Sequence, residues 1–161
     1  MKEYTLSERG TFKTIIHSAL YKNEDIREML IGDTTGMSGA EMRSQFKNYC
    51  KSHLFIDDTI TETATFIFYD VRIPRTNRTT KQLYVIMYLI CSRDILEDYA
   101  KEGYVGDRID ILAEMVEETL INDEEIAQSF GIGKLRLDSV DIYNSTRFYG
   151  CILNFDVSDF R

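Results

Sequence analysis

The stretch "ATFIFYDVRIPRTNRTTKQLYVIMYLICSRD", Ala64 to Asp94, decides how this chain folds. Up to Ile73 large apolar residues fill both alternating sets. Phe66 and Phe68 fall on one face of an extended strand, and Ile67, Tyr69, Val71 and Ile73 on the other. Pro74, the only proline, is expected to end that strand, because proline has no N–H to give to a sheet ladder. The polar run "RTNRTT", Arg75 to Thr80, then leads into β-branched and aromatic residues from Leu83 to Cys91. Two long strands joined by a short polar link predict an antiparallel hairpin over 64–92, with its tip at Arg75–Thr80.

On the N-terminal side, residues 1–56 read as helical. Phe12, Ile15, Ile16, Ala19 and Leu20 recur at three-and-four spacing and continue through Ile26, Met29 and Leu30, which predicts an amphipathic helix broken near "KNED" and stopping at Gly32. Ser38 followed by Glu41 has capping-box spacing and opens a second helix through Met42, Phe46, Tyr49 and Cys50.

On the C-terminal side, Asp107 is a good N-cap for a helix over 106–121, and Asp110 adds a carboxylate to its electropositive first turn. Ile109, Leu112, Ala113, Val116 and Leu120 make its apolar stripe. A second hairpin over 135–160 turns at Asn144–Thr146. Its last strand places Tyr149, Cys151, Leu153, Phe155 and Val157 toward the helices, and Phe148, Ile152, Asn154 and Asp156 outward as a possible subunit interface. Gly150 marks a bulge or a close backbone approach. The whole is one α+β domain: an antiparallel or mixed sheet of at least four strands, built from two hairpins and packed against helices. Strands apolar on both faces need cover on both, from another subunit or from helices split between the faces.

The 161 residues suit one domain, and 43% hydrophobic with 29% charged residues is an ordinary globular mix. The apolar run Leu83–Cys91 is about half of what a membrane-crossing helix needs, and the N-terminus lacks the apolar core of a signal peptide, so no membrane partner and a cytosolic start are expected. Cys50, Cys91 and Cys151 are widely spaced and read as buried thiols in a reducing compartment. His17 and His53, expected on opposite sides of two helices, read as packing or surface residues; no metal and no cofactor are expected.

A net charge of -8 argues against a general nucleic-acid-binding surface. The charge is unevenly spread, however. Arg72, Arg75, Arg78 and Lys81 cluster around the first hairpin tip without an acid, while Asp94–Glu125 is dominated by Asp and Glu. The tip reads either as a solvated turn kept polar against edge aggregation or as a basic prong for an acidic surface or nucleic acid.

Catalytic patterns are weak throughout. Asp57 and Asp58 are adjacent and diverge on an extended chain. Cys151 lies inside a strand without a base, and "GIGK" at Gly131–Lys134 lacks phosphate-loop spacing. Asp70 with Lys81 is the nearest approach to a small metal-dependent nuclease, but without the local acid-x-lysine pattern. The expectation is no enzyme and no catalytic residue.

The passages "ATFIFYDVRIPRTNRTTKQLYVIMYLICSRD", "GDRIDILAEMVEETL" and "RFYGCILNFDVSDF", together about Ala64–Phe160, resemble in element order the tail-terminator proteins of long-tailed bacteriophages and related head-to-tail joining, or neck, proteins. The helix "SGAEMRSQFKNYCKSHLF" is an extra element relative to that pattern. The resemblance implies a structural virion protein, assembled in the host cytoplasm into a homo-oligomeric ring, commonly of six copies. Such a ring caps the tail tube and meets a head-side connector or head-closure protein. It further implies that Arg72, Arg75, Arg78 and Lys81 touch a neighbour, the tail-tube protein or passing DNA. A phage adaptor or baseplate protein is the alternative within the same class.

Overall fold

The structure, a computed structural model, describes residues 5–56, 59–76, 80–129 and 135–160. Its elements are α1 (Thr5–Lys22), α2 (Glu24–Ile31), α3 (Gly39–Tyr49), β1 (Cys50–Lys51), β2 (Thr65–Thr76), β3 (Thr80–Ser92), α4 (Arg108–Asn122), α5 (Glu124–Ser129), β4 (Arg136–Asn144) and β5 (Phe148–Phe160). The five strands form one mixed sheet in the order β1-β2-β3-β5-β4, antiparallel except where β1 joins β2. The fold is α+β, and both expected hairpins are present, joined through a β3–β5 pairing that runs the length of β3. Among the described residues no helix is long and apolar enough to cross a membrane.

Local chemistry sets the helix ends. The break between α1 and α2 falls at Asn23, whose side chain accepts hydrogen bonds from the backbone N–H groups of Asp25 and Ile26 and so starts a new helix. Gly32 closes α2 at φ 76°, a left-handed conformation that glycine adopts without steric cost. Ser38 caps α3, and Asp107 with Asp110 forms a reciprocal capping box on α4. Such a cap contributes about 1 kcal/mol.

One face of the sheet packs on the helices. Val71–Val85–Phe155, Tyr69–Met87–Leu153 and Ile67–Leu89–Cys151 run as cross-strand rows beneath Phe12, Ile16 and Leu20 of α1 and Leu112, Met115 and Val116 of α4. Tyr149, Cys151, Leu153 and Phe155 take this face, as the alternation predicts; the side chain of Val157 lies outside the described residues.

The opposite face corrects two expectations. Its upper end is covered from within the chain: Tyr49 at the end of α3 packs against Phe66, and the connector between β1 and β2 lays Ile56 and Ile60 over Phe66, Phe68, Ile90 and Phe148 to form a second apolar cluster. Phe55 meets Phe68 edge-on, and Arg147 reaches the Thr61 carbonyl at 3.3 Å. Phe148, expected to face outward as an interface residue, is therefore buried. Its turn, closed by the Ser145 N–H to the Phe148 carbonyl, sets it under that connector. The second correction concerns Pro74. β2 continues through it to Thr76, with a register shift between Arg72 and Arg75, because β1 pairs only with Ile67 and Phe68 and leaves this part of β2 as an edge where a missing N–H costs nothing.

Candidate functional site

The basic prong is longer and better supported than a two-strand hairpin. β5 accompanies β3 to its beginning, with Lys81 opposite Asp159 and Thr80 opposite Phe160, so three strands extend toward the tip. Arg72 is exposed on the face opposite the helices, in a row with Tyr84, Asp156 and Arg136. Arg75 stands opposite Gln82 in the register. Arg78, together with the acidic pair Asp57 and Asp58 and the "GIGK" segment, lies outside the described residues, as do the side chains of Arg75 and Lys81.

Of the outward residues of β5, Ile152 is half-buried in register with Tyr88 and Asp141, while the other two already have partners within the chain. Arg136 engages Asp156 through two hydrogen bonds, Nε at 3.2 Å and Nη2 at 3.1 Å, and Asn154 donates to Ser139 Oγ at 3.1 Å. These pairs clamp β4 to β5.

β4 itself carries a surface the sequence reading passed over. Among the described residues it is the terminal strand of the sheet, so one of its edges has no neighbouring strand there. Every residue along it is exposed or half-exposed. Val140 and Ile142 lie in register with Leu153 and Cys151, on the helix-covered side, yet are 57% and 73% exposed. α4 packs on β3 and β5, and the helical layer does not bury these two side chains. An edge strand of nine residues that leaves Val140 and Ile142 exposed is a template for strand addition. Its one sequence signal was the alternation of Val140 and Ile142, which the eye assigns to a core.

Asp70, the acid nearest to a nuclease constellation, is held by cations. Arg9 Nη2 lies 2.5 Å and Lys13 Nζ 3.0 Å from its Oδ1, which also accepts the Val71 N–H at 2.8 Å. Partial burial pushes its pKa up, but Lys13, the Val71 N–H and the Arg9 charge outweigh it and hold the carboxyl below its usual value. Lys81 is remote from it along the ladder, in register with Thr76. Among the described residues no group of three or more His, Cys, Asp or Glu is placed to hold a metal ion.

The three cysteines are free and buried. Burial pushes Cys151 up to about 12, with the Asp110 and Asp107 carboxylates adding to it, and Cys91 up to about 11. Thiols so placed are protonated and poor nucleophiles. His17 and His53 do not diverge as expected: both line one cavity of about 500 Å³ between α1, α3 and β1.

The fold and its surfaces describe a small α+β protein with a three-stranded extension, an acidic stretch from Asp94 to Glu125 and, among the described residues, an open sheet edge. Residues 14–157 match the family model YomW, and the chain belongs to the YomW family. YomW is a protein of a Bacillus phage region, which makes this chain phage-related. A comparison with curated proteins found no match.

Proposed function

We propose that this protein is a structural virion component, a phage tail terminator or neck protein that assembles as a homo-oligomeric ring between the tail tube and the head-side connector. The observation that carries this reading is the β4 edge, an open strand with Val140 and Ile142 exposed beside it. Its occupant is a second copy of the chain. Asp138 and Asp141 on the exposed strand disfavour indiscriminate pairing and call for a cationic partner. The chain has one to offer in Arg72, Arg75, Arg78 and Lys81. The Asp94–Glu125 flank, with twelve acidic residues against two basic ones, adds to the complementarity. A patch pairing with a different patch on the next copy generates a ring when the rotation closes. In that ring the prong contacts a neighbour, the tail-tube protein or passing DNA.

The test is assembly. Purified protein, alone or mixed with tail tubes, is expected to form closed rings by negative-stain microscopy and to bind tube ends. A strict monomer that ignores tubes would overturn the reading.

A further inference from the structure

In a chain of net charge -8, one cavity collects cations. Lys13 and His17 from α1, Arg43 and Lys47 from α3, and Lys51 and His53 from β1 and the residues after it line the same space of about 500 Å³, and no acidic side chain lines it among the described residues. Lys13 is the only one of the four Lys/Arg residues with an acidic partner among the described residues, and that partner, Asp70, is shared with Arg9. Arg43 is instead poised over the Tyr21 ring at 5.9 Å, and Lys51 over the Phe55 ring at 5.7 Å. The floor is rigid: Tyr69 donates to the Lys13 carbonyl at 2.6 Å, Cys50 is buried, and His17 packs edge-on against the buried Phe46.

His17 supplies a second, independent sign of a missing partner. Its Nε2 is buried without any hydrogen bond, the one buried side-chain polar atom so placed among the described residues. A polar atom in that condition costs stability unless something fills the space beside it. Burial and the neighbouring Lys47 charge keep the imidazole neutral more than usual, the expected condition of a cationic site awaiting negative charge.

We propose that this cavity binds a small molecule bearing phosphate groups, with Arg43, Lys47 and Lys51 as its principal ligands and His17 at its floor, whose Nε2 becomes a donor when the ligand's negative charge draws a proton onto the imidazole. The volume falls in the range of small-molecule sites. Several cations around a partly enclosed space match a ligand of high charge density better than a single carboxylate. The Ser18 and Ser52 hydroxyls, also in the wall, add neutral donors.

The experiment is calorimetric titration of the full chain with pyrophosphate and with ATP, alongside a single-stranded DNA oligonucleotide. Saturable binding of pyrophosphate or ATP is expected, weakening by at least about tenfold in the Arg43→Glu, Lys47→Glu double variant. Both positions are exposed, so the variant is expected to melt like the parent; should it not, Lys47→Gln alone carries the comparison. By NMR, ligand should raise the midpoint of the His17 imidazole titration and leave more distant resonances unmoved. Absence of binding by both phosphates at millimolar concentration, binding indifferent to the charge reversals, or binding of the oligonucleotide alone would each overturn the proposal.

Discussion

A methyl group on Gly150 would overlap the carbonyl oxygen of Leu89 in β3 and come within 2.8 Å of Ile90 Cα. The two strands pass there at a distance only a residue without a side chain permits, so β5 depends on this glycine to seat beside β3. Gly150→Ala is expected to destabilise the fold by about 3 kcal/mol, since the clash is with backbone and no rotamer relieves it. Urea unfolding followed by circular dichroism checks this; a variant within about 0.5 kcal/mol of the parent would mean the strands can separate cheaply.

The open edge of β4 makes the second prediction. Val140→Glu with Ile142→Glu should leave the melting transition almost unchanged, because both side chains are already exposed, while lowering the mass of the assembled species in sedimentation velocity. Assembly that survives both substitutions would locate the subunit contact elsewhere.

Reversing the prong by Arg75→Glu and Arg78→Glu should likewise spare the fold, within about 0.5 kcal/mol. Ring formation, or capture by tail tubes, is expected to fall, and the parent's assembly should weaken as salt is raised. Unchanged assembly would return the tip to a solvated turn.

Stability should depend on pH in two windows. His17 titrates below its ordinary 6.5 in the folded chain, held down by burial and then by Lys47, with the Cys50 backbone hydrogen bond opposing them. Lys13 on its own helix, Arg43 and Lys47 on α3, Lys51 and His53 beyond it and Tyr69 on β2 surround it, and none of these is an anion at that pH. The unfolded chain therefore takes up the proton first, and stability should fall as pH drops below about 6.5. Asp70, depressed below 3.8, extends the loss at lower pH, where its ion pairs with Arg9 and Lys13 are protonated away. Thermal melts from pH 7 to 2 of the parent, His17→Gln and Asp70→Asn separate the two. A His17→Gln variant with the parent's slope between pH 6.5 and 5 would exclude His17 as its source.

The elements were legible where short-range chemistry is decisive. The Asn23 break, the Gly32 stop and the Asp107–Asp110 cap follow from which side chains can satisfy helix-end N–H groups or adopt positive φ. The face of β5 that meets the helices was equally readable, because side chains alternate along a strand whatever lies above it. Phe148 was misjudged because its partner is a loop: alternation says which side a residue takes but not what covers that side.

The cavity was half legible. Lys13, His17 and Tyr21 recur every four residues, as do Arg43, Lys47 and Lys51, so each set marks one helical face or its continuation. That the two faces meet depends on how α1 and α3 pack around the β1–β2 pairing, and a two-residue parallel strand such as β1 has no periodicity to read.

By itself, then, the sequence determined the first four helices, the two hairpins and which side of β5 meets the helices, because capping, turn chemistry and alternation act over a few residues. Only the tertiary structure decided that β4 would lie beyond the helices with Val140 and Ile142 uncovered, and that six basic side chains from α1, α3, β1 and the residues after it would converge on one cavity. Which strand ends a sheet, and which helix faces meet, are set by the packing of the whole chain.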